Sequence, residues 1–136
     1  MENLKINIES LVKNGVTTFL SGAAIGFDIA AALAVIETKR TFPNIKLALA
    51  LPCENQTKNW CPTDIVSYNY IIEQADTVTY ISKRYYAGCM HKRNRYLVEN
   101  SAFCICYLKK TCGGTYYTVE YAKKNGLNIK NLAQIE

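Results

Sequence analysis

Short apolar runs alternate with helix-patterned segments along this chain, and no other property narrows its fold as much. Residues 16–20, 45–51, 77–81, 102–108 and 127–132 carry the β-branched, aromatic and aliphatic side chains of strands. Around and between them, residues 3–14, 27–40, 65–75, 90–100 and 116–124 have helical composition or spacing, as in Leu4, Ile8, Leu11 and Val12 of the first. Asn14-Gly15 and Asn125-Gly126 supply helix stops, and Pro52-Cys53 ends the second apolar run. Strands joined through helices pair in parallel with right-handed crossovers. Repetition of that unit predicts an α/β three-layer domain, helices on both faces of a mostly parallel sheet of about five strands. Within the Ala-rich segment 27–40, Ile29, Leu33 and Ile36 are expected to face the sheet.

At 136 residues the chain is expected to form a single domain over 1–136, large enough to remove roughly two-thirds of its unfolded surface from water without a disulfide. No apolar run approaches the ~20 residues needed to span a bilayer, so no membrane partner is expected. The beginning, Met1-Glu2-Asn3-Leu4-Lys5, has no signal-peptide core, and a cytoplasmic location follows as the expectation. In that compartment the six cysteines are reduced thiols. Their spacing fits no zinc ribbon or finger, so no metal site is assigned, and no cofactor is implied. Cys104 and Cys106, two apart in one apolar run, share a strand face. A net charge of +5 favours anionic partners, but the basic residues are spread along the chain and form no dense stripe. That balance suits a nucleotide-like small molecule at least as well as a nucleic acid, and it leaves a homodimer open.

The strongest local signal is Lys110-Thr111-Cys112-Gly113-Gly114-Thr115-Tyr116-Tyr117-Thr118, which joins the fourth apolar run to the last helix. Paired glycines allow a sharp turn and close approach of a ligand, and the first amides of a helix have no partner within it. Free amides and the positive helix end favour phosphate or carboxylate, with the hydroxyls of Thr115 and Thr118 as further donors. A Gly-Gly turn is also a common purely structural joint. A second small-residue loop, Ser21-Gly22-Ala23-Ala24-Ile25-Gly26-Phe27-Asp28, again lies after a strand and before a helix. In open parallel sheets the ligand crevice lies outside the carboxyl ends of the strands. The loops on that edge hold Gly22, Gly26, Asp28, Cys53, Trp60, Arg93, Gly113, Gly114 and Thr115, with Asn94 beside Arg93.

Each of these residues has two readings. Arg93 is a guanidinium fork for an anion, or part of a solvated helix face. Asp28 accepts hydrogen bonds from a ribose, or stabilises the first turn of its helix. Trp60 stacks on a base, or anchors its own loop. His91 lacks a nucleophile and an orienting partner in the sequence, which points to a surface or capping role. Tyr85, Tyr86, Tyr116 and Tyr117 flank a base or are ordinary amphipathic residues. Cys53, Cys61, Cys89 and Cys112 fall in rim loops without ligand-like spacing.

Taken together, Ser21-Gly22-Ala23-Ala24-Ile25-Gly26-Phe27-Asp28, Leu51-Pro52-Cys53 followed by Gln56 and Trp60, Gly88-Cys89-Met90 with Lys92-Arg93-Asn94-Arg95, and Gly113-Gly114-Thr115 with Thr118, Tyr121 and Ala122 resemble the YpsA-like branch of the SLOG superfamily. The resemblance runs from about residue 16 to 132. It implies a Rossmann-like fold and a nucleotide or nucleotide-derived ligand at the rim; the superfamily also includes the DNA-processing protein DprA and the LOG phosphoribohydrolases. YpsA-like chains usually begin with a strand ending in Thr-Gly-His-Arg. This sequence starts at the helix that follows, so the family's usual first strand is expected to be lacking and one wall of the pocket missing or supplied differently. Against the LOG pattern Met-His-x-Arg-Lys, Met90-His91-Lys92-Arg93-Asn94 carries Arg93 over. The second LOG motif is out of step in Cys112-Gly113-Gly114-Thr115-Tyr116-Tyr117-Thr118-Val119-Glu120, and Glu120 does not carry over. The preferred expectation is binding or sensing of a nucleotide-derived ligand, with no catalytic residue assigned. Alternatives are a LOG-type nucleoside-monophosphate phosphoribohydrolase, using Arg93 with Glu120 or Asp28, and DprA-like single-stranded DNA binding.

Overall fold

A computed structural model describes residues 2–134. Met1, Ile135 and Glu136, the ends of the domain expected over 1–136, lie outside the described residues. In chain order the elements are helix α1 (Glu2–Lys13), strand β1 (Thr18–Ser21), α2 (Phe27–Lys39), β2 (Lys46–Leu51), α3 (Pro62–Gln74), β3 (Thr77–Tyr80), α4 (Cys89–Glu99), β4 (Phe103–Cys106), α5 (Gly114–Lys124) and β5 (Asn128–Asn131). A 3-10 turn, Leu132–Gln134, closes the described chain.

The fold is α/β and Rossmann-like, with strictly parallel strand pairing. One ladder sets Leu20 opposite Ala48, the next sets Leu49 opposite Val78, and a third sets Ile105 opposite Lys130. The five strands do not form one continuous sheet. They divide into a three-stranded sheet, β1-β2-β3, and a two-stranded sheet, β4-β5. Each strand of a sheet interior needs a partner on both sides, and no described strand pairs with the outer edge of β1 or of β4.

β2 forms the centre of the core. Leu47, Leu49 and Leu51 are fully buried against Ile71 and Tyr68 of α3, Ala32 and Val35 of α2, and Leu4 and Ile8 of α1. A strand buried on both faces is apolar without alternation, which is why Leu47-Ala48-Leu49-Ala50-Leu51 has no polar side. For α2 the expected inward face needs correction. Ile29 is buried as expected, but the other inward positions are Ala32, Val35 and Thr38, while Leu33 and Ile36 are only half-buried. The helix is apolar nearly all round, so spacing alone did not define one face. Ala30, Ala31 and Ala34 are likewise half-buried, and the hydroxyl of Thr38, fully buried, donates to the Ala34 carbonyl at 2.8 Å.

Asp76, just before β3, ties three elements. Its carboxylate accepts from Lys39 Nζ of α2 at 2.8 Å and from the Leu47 amide of β2 at 2.9 Å. The Lys39 hydrogen bond, followed by that from Leu47, holds the Asp76 carboxyl below its ordinary range. A lowered carboxyl contributes stability above the unfolded value and loses it as pH falls through the folded value. Because the pair is partly solvated, Asp76→Ala is expected to cost only about 1 kcal/mol at pH 7. Urea titrations should show that difference shrinking below the ordinary carboxylate range.

Candidate functional site

Three helices begin around one cavity of about 500 Å³ at the carboxyl ends of β1 and β4. α2 contributes Phe27 and Asp28, α4 contributes Met90, His91, Arg93 and Asn94, and α5 contributes Gly114, Thr115 and Thr118. None of the three N-termini has a side-chain cap. The first amides of α2 and α5 therefore remain available to an acceptor, whereas in α4 the Cys89 amide donates to the Tyr86 carbonyl at 3.1 Å and those of Met90 and His91 are left.

Arg93 is the buried pivot. It is 3% exposed, and its Nη1 donates to the Gly22 carbonyl at 2.8 Å while its Nε donates to Asn94 Oδ1 at 2.8 Å. Neither an open anion clamp nor a solvated face describes it; the guanidinium pins α4 to the loop after β1, with donors left over toward the cavity. Gly22 is small for the same reason. A Cβ there would lie 2.5 Å from Arg93 Nη1 and 3.0 Å from Asp28 Oδ2.

The loop closes on itself. Ser21 Oγ donates to the Asp28 carbonyl at 3.3 Å and accepts from the Ala23 amide at 3.1 Å. Ala23 is fully buried with φ 52, an uncommon left-handed backbone for a residue with a side chain. Desolvation raises the Asp28 carboxyl above its ordinary range, opposed by the charge of Arg93 and by the Ala24 amide, which donates to Oδ2 at 3.4 Å. Burial lowers Arg93, and Asp28 opposes that shift.

A carboxyl raised in the folded state binds its proton more tightly there than in the unfolded chain, so its contribution to stability falls as pH rises through the folded value. Asp28→Asn removes that dependence. Between its ordinary value and pH 7, wild-type stability is therefore expected to fall relative to the variant as pH rises. Paired urea titrations at pH 4.5 and 7 check the sign.

At the second loop the turn belongs to Gly113, the N-cap of α5, with φ 95. Gly114 is already the first residue of the helix, two positions earlier than expected, and open space surrounds it. Thr118 spends its hydroxyl proton on the Gly114 carbonyl at 2.9 Å, so it offers the cavity lone pairs instead of a donor. Gly26, the N-cap of α2 with φ 97, is exposed and is not part of the cavity lining.

Trp60 lies elsewhere. It borders an adjoining cavity of about 580 Å³ with Cys53, Gln56, Tyr85 and Met90, and packs edge-on against Tyr68 with ring centroids 5.2 Å apart. The two cavities share Ala24, Ile25 and Met90.

Sequence reasoning assigned no role to Phe27, Ile25 or Tyr107, which also line the first cavity. Phe27 and Tyr107 stack with centroids 6.4 Å apart, and Lys109 Nζ lies 5.4 Å from the Tyr107 ring. Their position immediately after Gly26 and after β4 was the available signal. His91 lines the cavity and packs edge-on against Tyr117 at 4.7 Å. Glu120, the alternative carboxylate, pairs with Lys123 at 3.1 Å and is outside the cavity lining. Among the described residues, no group of three His, Cys, Asp or Glu side chains could hold a metal ion, and no helix is long and apolar enough to cross a membrane.

Comparison with known proteins agrees with this architecture. Residues 1–135 match the family model described as the YspA SLOG family. A UPF0398 protein of Halalkalibacterium halodurans is 37% identical over 120 residues, covering 86% of this chain and 64% of the relative. UPF0398 proteins of Bacillus cereus and Bacillus thuringiensis are 31% and 30% identical, over 88% and 90% of this chain and 66% and 68% of their own length. The chain thus spans about two thirds of the curated relatives it matches. With a match over nearly its whole length, this chain belongs to the YpsA family of SLOG proteins.

Proposed function

We propose that the cavity between the starts of α2, α4 and α5 binds or senses a nucleotide or nucleotide-derived ligand. One observation carries this reading: three uncapped helix N-termini, from separate parts of the chain, border one space of about 500 Å³. Phosphate oxygens would accept from the Gly114 and Thr115 amides and the Thr115 hydroxyl, where no side chain blocks approach. Gly22 and Asp28 would border the sugar, with Arg93 holding their loop and supplying its remaining donors. The base would extend past Ile25 and Met90 toward Trp60 in the adjoining cavity.

The test is a melting-temperature scan of this protein against mono-, di- and cyclic nucleotides and nucleotide sugars. A ligand at ten times its Kd should add about 1.4 kcal/mol of stability by mass action. Thr115→Asp, which puts a carboxylate at the proposed phosphate seat, should abolish that response with little change in the unliganded protein. No response across the library, or the same response in Thr115→Asp, would remove the reading.

A second reading, phosphoribohydrolase chemistry of LOG type, is favoured by Asp28, a desolvated carboxyl on the cavity wall close to Arg93. There the carboxylate would stabilise positive charge developing on the ribose while water attacks. Release of free base from nucleoside monophosphates, lost in Asp28→Asn, distinguishes turnover from binding alone.

A further inference from the structure

Among the described residues, one buried side-chain polar atom, Gln56 Oε1, has no hydrogen-bond partner. A desolvated, unpaired carbonyl oxygen costs stability, so its presence in a folded protein calls for a reason. The loop around it is well ordered by its own backbone. The Lys58 amide donates to the Asn55 carbonyl at 3.2 Å and the Trp60 amide to the Thr57 carbonyl at 3.0 Å, which makes two overlapping turns. Asn59, the third residue of the second turn, has φ 71, a left-handed backbone that asparagine tolerates. Gln56 and Trp60 both meet Tyr68 of α3, which is 5% exposed. The Tyr68 ring packs edge-on with Trp60, centroids 5.2 Å apart, and its hydroxyl accepts from Gln56 Nε2 at 3.5 Å. That bond is long and therefore weak, and it occupies the donor end of the amide. The acceptor end is left over.

Gln56 borders the adjoining cavity of about 580 Å³. Pro52, Trp60, Tyr85 and Met90 make much of the same wall apolar, and burial raises the Cys53 thiol, which keeps it neutral. The charged side chain in this lining is Lys58, which is exposed. An apolar space with an aromatic wall and one buried, unpaired acceptor suits a flat ring that carries a donor at its edge. Nucleobases differ at that edge. Adenine and cytosine carry an exocyclic amine where guanine, hypoxanthine and uracil carry a carbonyl. An amine projects beyond its ring and reaches a recessed oxygen. The ring N–H of an oxo base lies beside its carbonyl, whose lone pairs would be driven against Oε1. Because the terminal torsion of a glutamine is broad, turning Oε1 toward an arriving donor costs little.

We propose that Gln56 makes the adjoining cavity selective for an amine-bearing base, adenine or cytosine, with Oε1 accepting from the exocyclic amine while the ring lies against Trp60. This rests on the reading that a nucleotide occupies the first cavity, and it names the class of base. Tyr68 is a positioning residue: by engaging Nε2 it fixes which end of the amide is free.

The test is titration with matched pairs, AMP against IMP, ADP against IDP and CMP against UMP, in which an amine is exchanged for a carbonyl at that edge. The amine member of a pair should bind at least about tenfold tighter. Gln56→Met, of similar volume, should bring the ratio to about one by weakening the amine member. Its unliganded melting temperature should equal or exceed that of the wild type, because an unpaired buried oxygen is gone. Tyr68→Phe releases Nε2, lets the amide present either end, and should lower the ratio by strengthening the carbonyl member, an effect that lost packing alone would not produce. Equal binding within the pairs, preference for the carbonyl member, or a ratio that survives in Gln56→Met would overturn the assignment and leave nucleotide binding standing. Absence of binding by every member would remove the nucleotide reading itself, and this inference with it.

Discussion

Arg93→Met is expected to destabilise the protein by about 3 kcal/mol in urea titrations at pH 7, although methionine fills a similar volume. The guanidinium is 3% exposed and donates to the Gly22 carbonyl at 2.8 Å. Removing it leaves that carbonyl without its donor and leaves Asp28, already raised by desolvation, without the positive charge that opposes the shift. The loss should be largest where Asp28 is ionised and smaller at pH 4.5. Asp28→Asn in the Arg93→Met background should recover part of it, because a neutral amide does not need the cation. Arg93→Lys keeps the charge and loses the fork, and should fall between the two. A change under about 0.5 kcal/mol for Arg93→Met, the level of an ordinary surface substitution, would show that the side chain is no pivot. It would then be free for an anion alone.

Gly22→Ala should cost about 2 kcal/mol, an unusual penalty for one methyl group. The new Cβ would stand 2.5 Å from Arg93 Nη1 and 2.8 Å from its Cζ, so the guanidinium must retreat and its bond to the Gly22 carbonyl must break. The Gly22→Ala/Arg93→Met pair should therefore cost much less than the sum of the single changes, since both remove one contact. Gly114→Ala is the control. It adds the same methyl at a helix position with open space around it and should be neutral or slightly stabilising. Equal costs for Gly22→Ala and Gly114→Ala would refute the close-approach argument.

Much of the fold was legible because its signals are local. The apolar runs before Gly22, after Pro43 and before Lys109 each become a parallel strand, with bounds shifted by a residue or two. Gly15 and Gly126 follow the helices they were expected to stop. For the candidate site, what was legible is placement: seven residues singled out in advance, Gly22, Asp28, Arg93, Asn94, Gly114, Thr115 and Thr118, border one cavity. The rule that loops at strand carboxyl ends converge carried that result. Trp60 went to the neighbouring space because its own edge-on contact with Tyr68 fixes it there. No rule of spacing anticipated that contact between a loop residue and the helix that follows it.

What the order of residues settled by itself is the identity and direction of the elements, since propensity, periodicity and turn chemistry act over a few neighbouring positions and a strand-helix-strand unit has one favoured hand. What only the folded chain decided is how distant parts divide their contacts. The Arg93 guanidinium turned inward to Gly22 across 71 positions, α2 turned Ile29, Ala32, Val35 and Thr38 to the core, and the strands divided between two sheets. Those outcomes depend on burial and on the hydrogen-bond partners available in three dimensions, and neither is encoded in any single stretch of sequence.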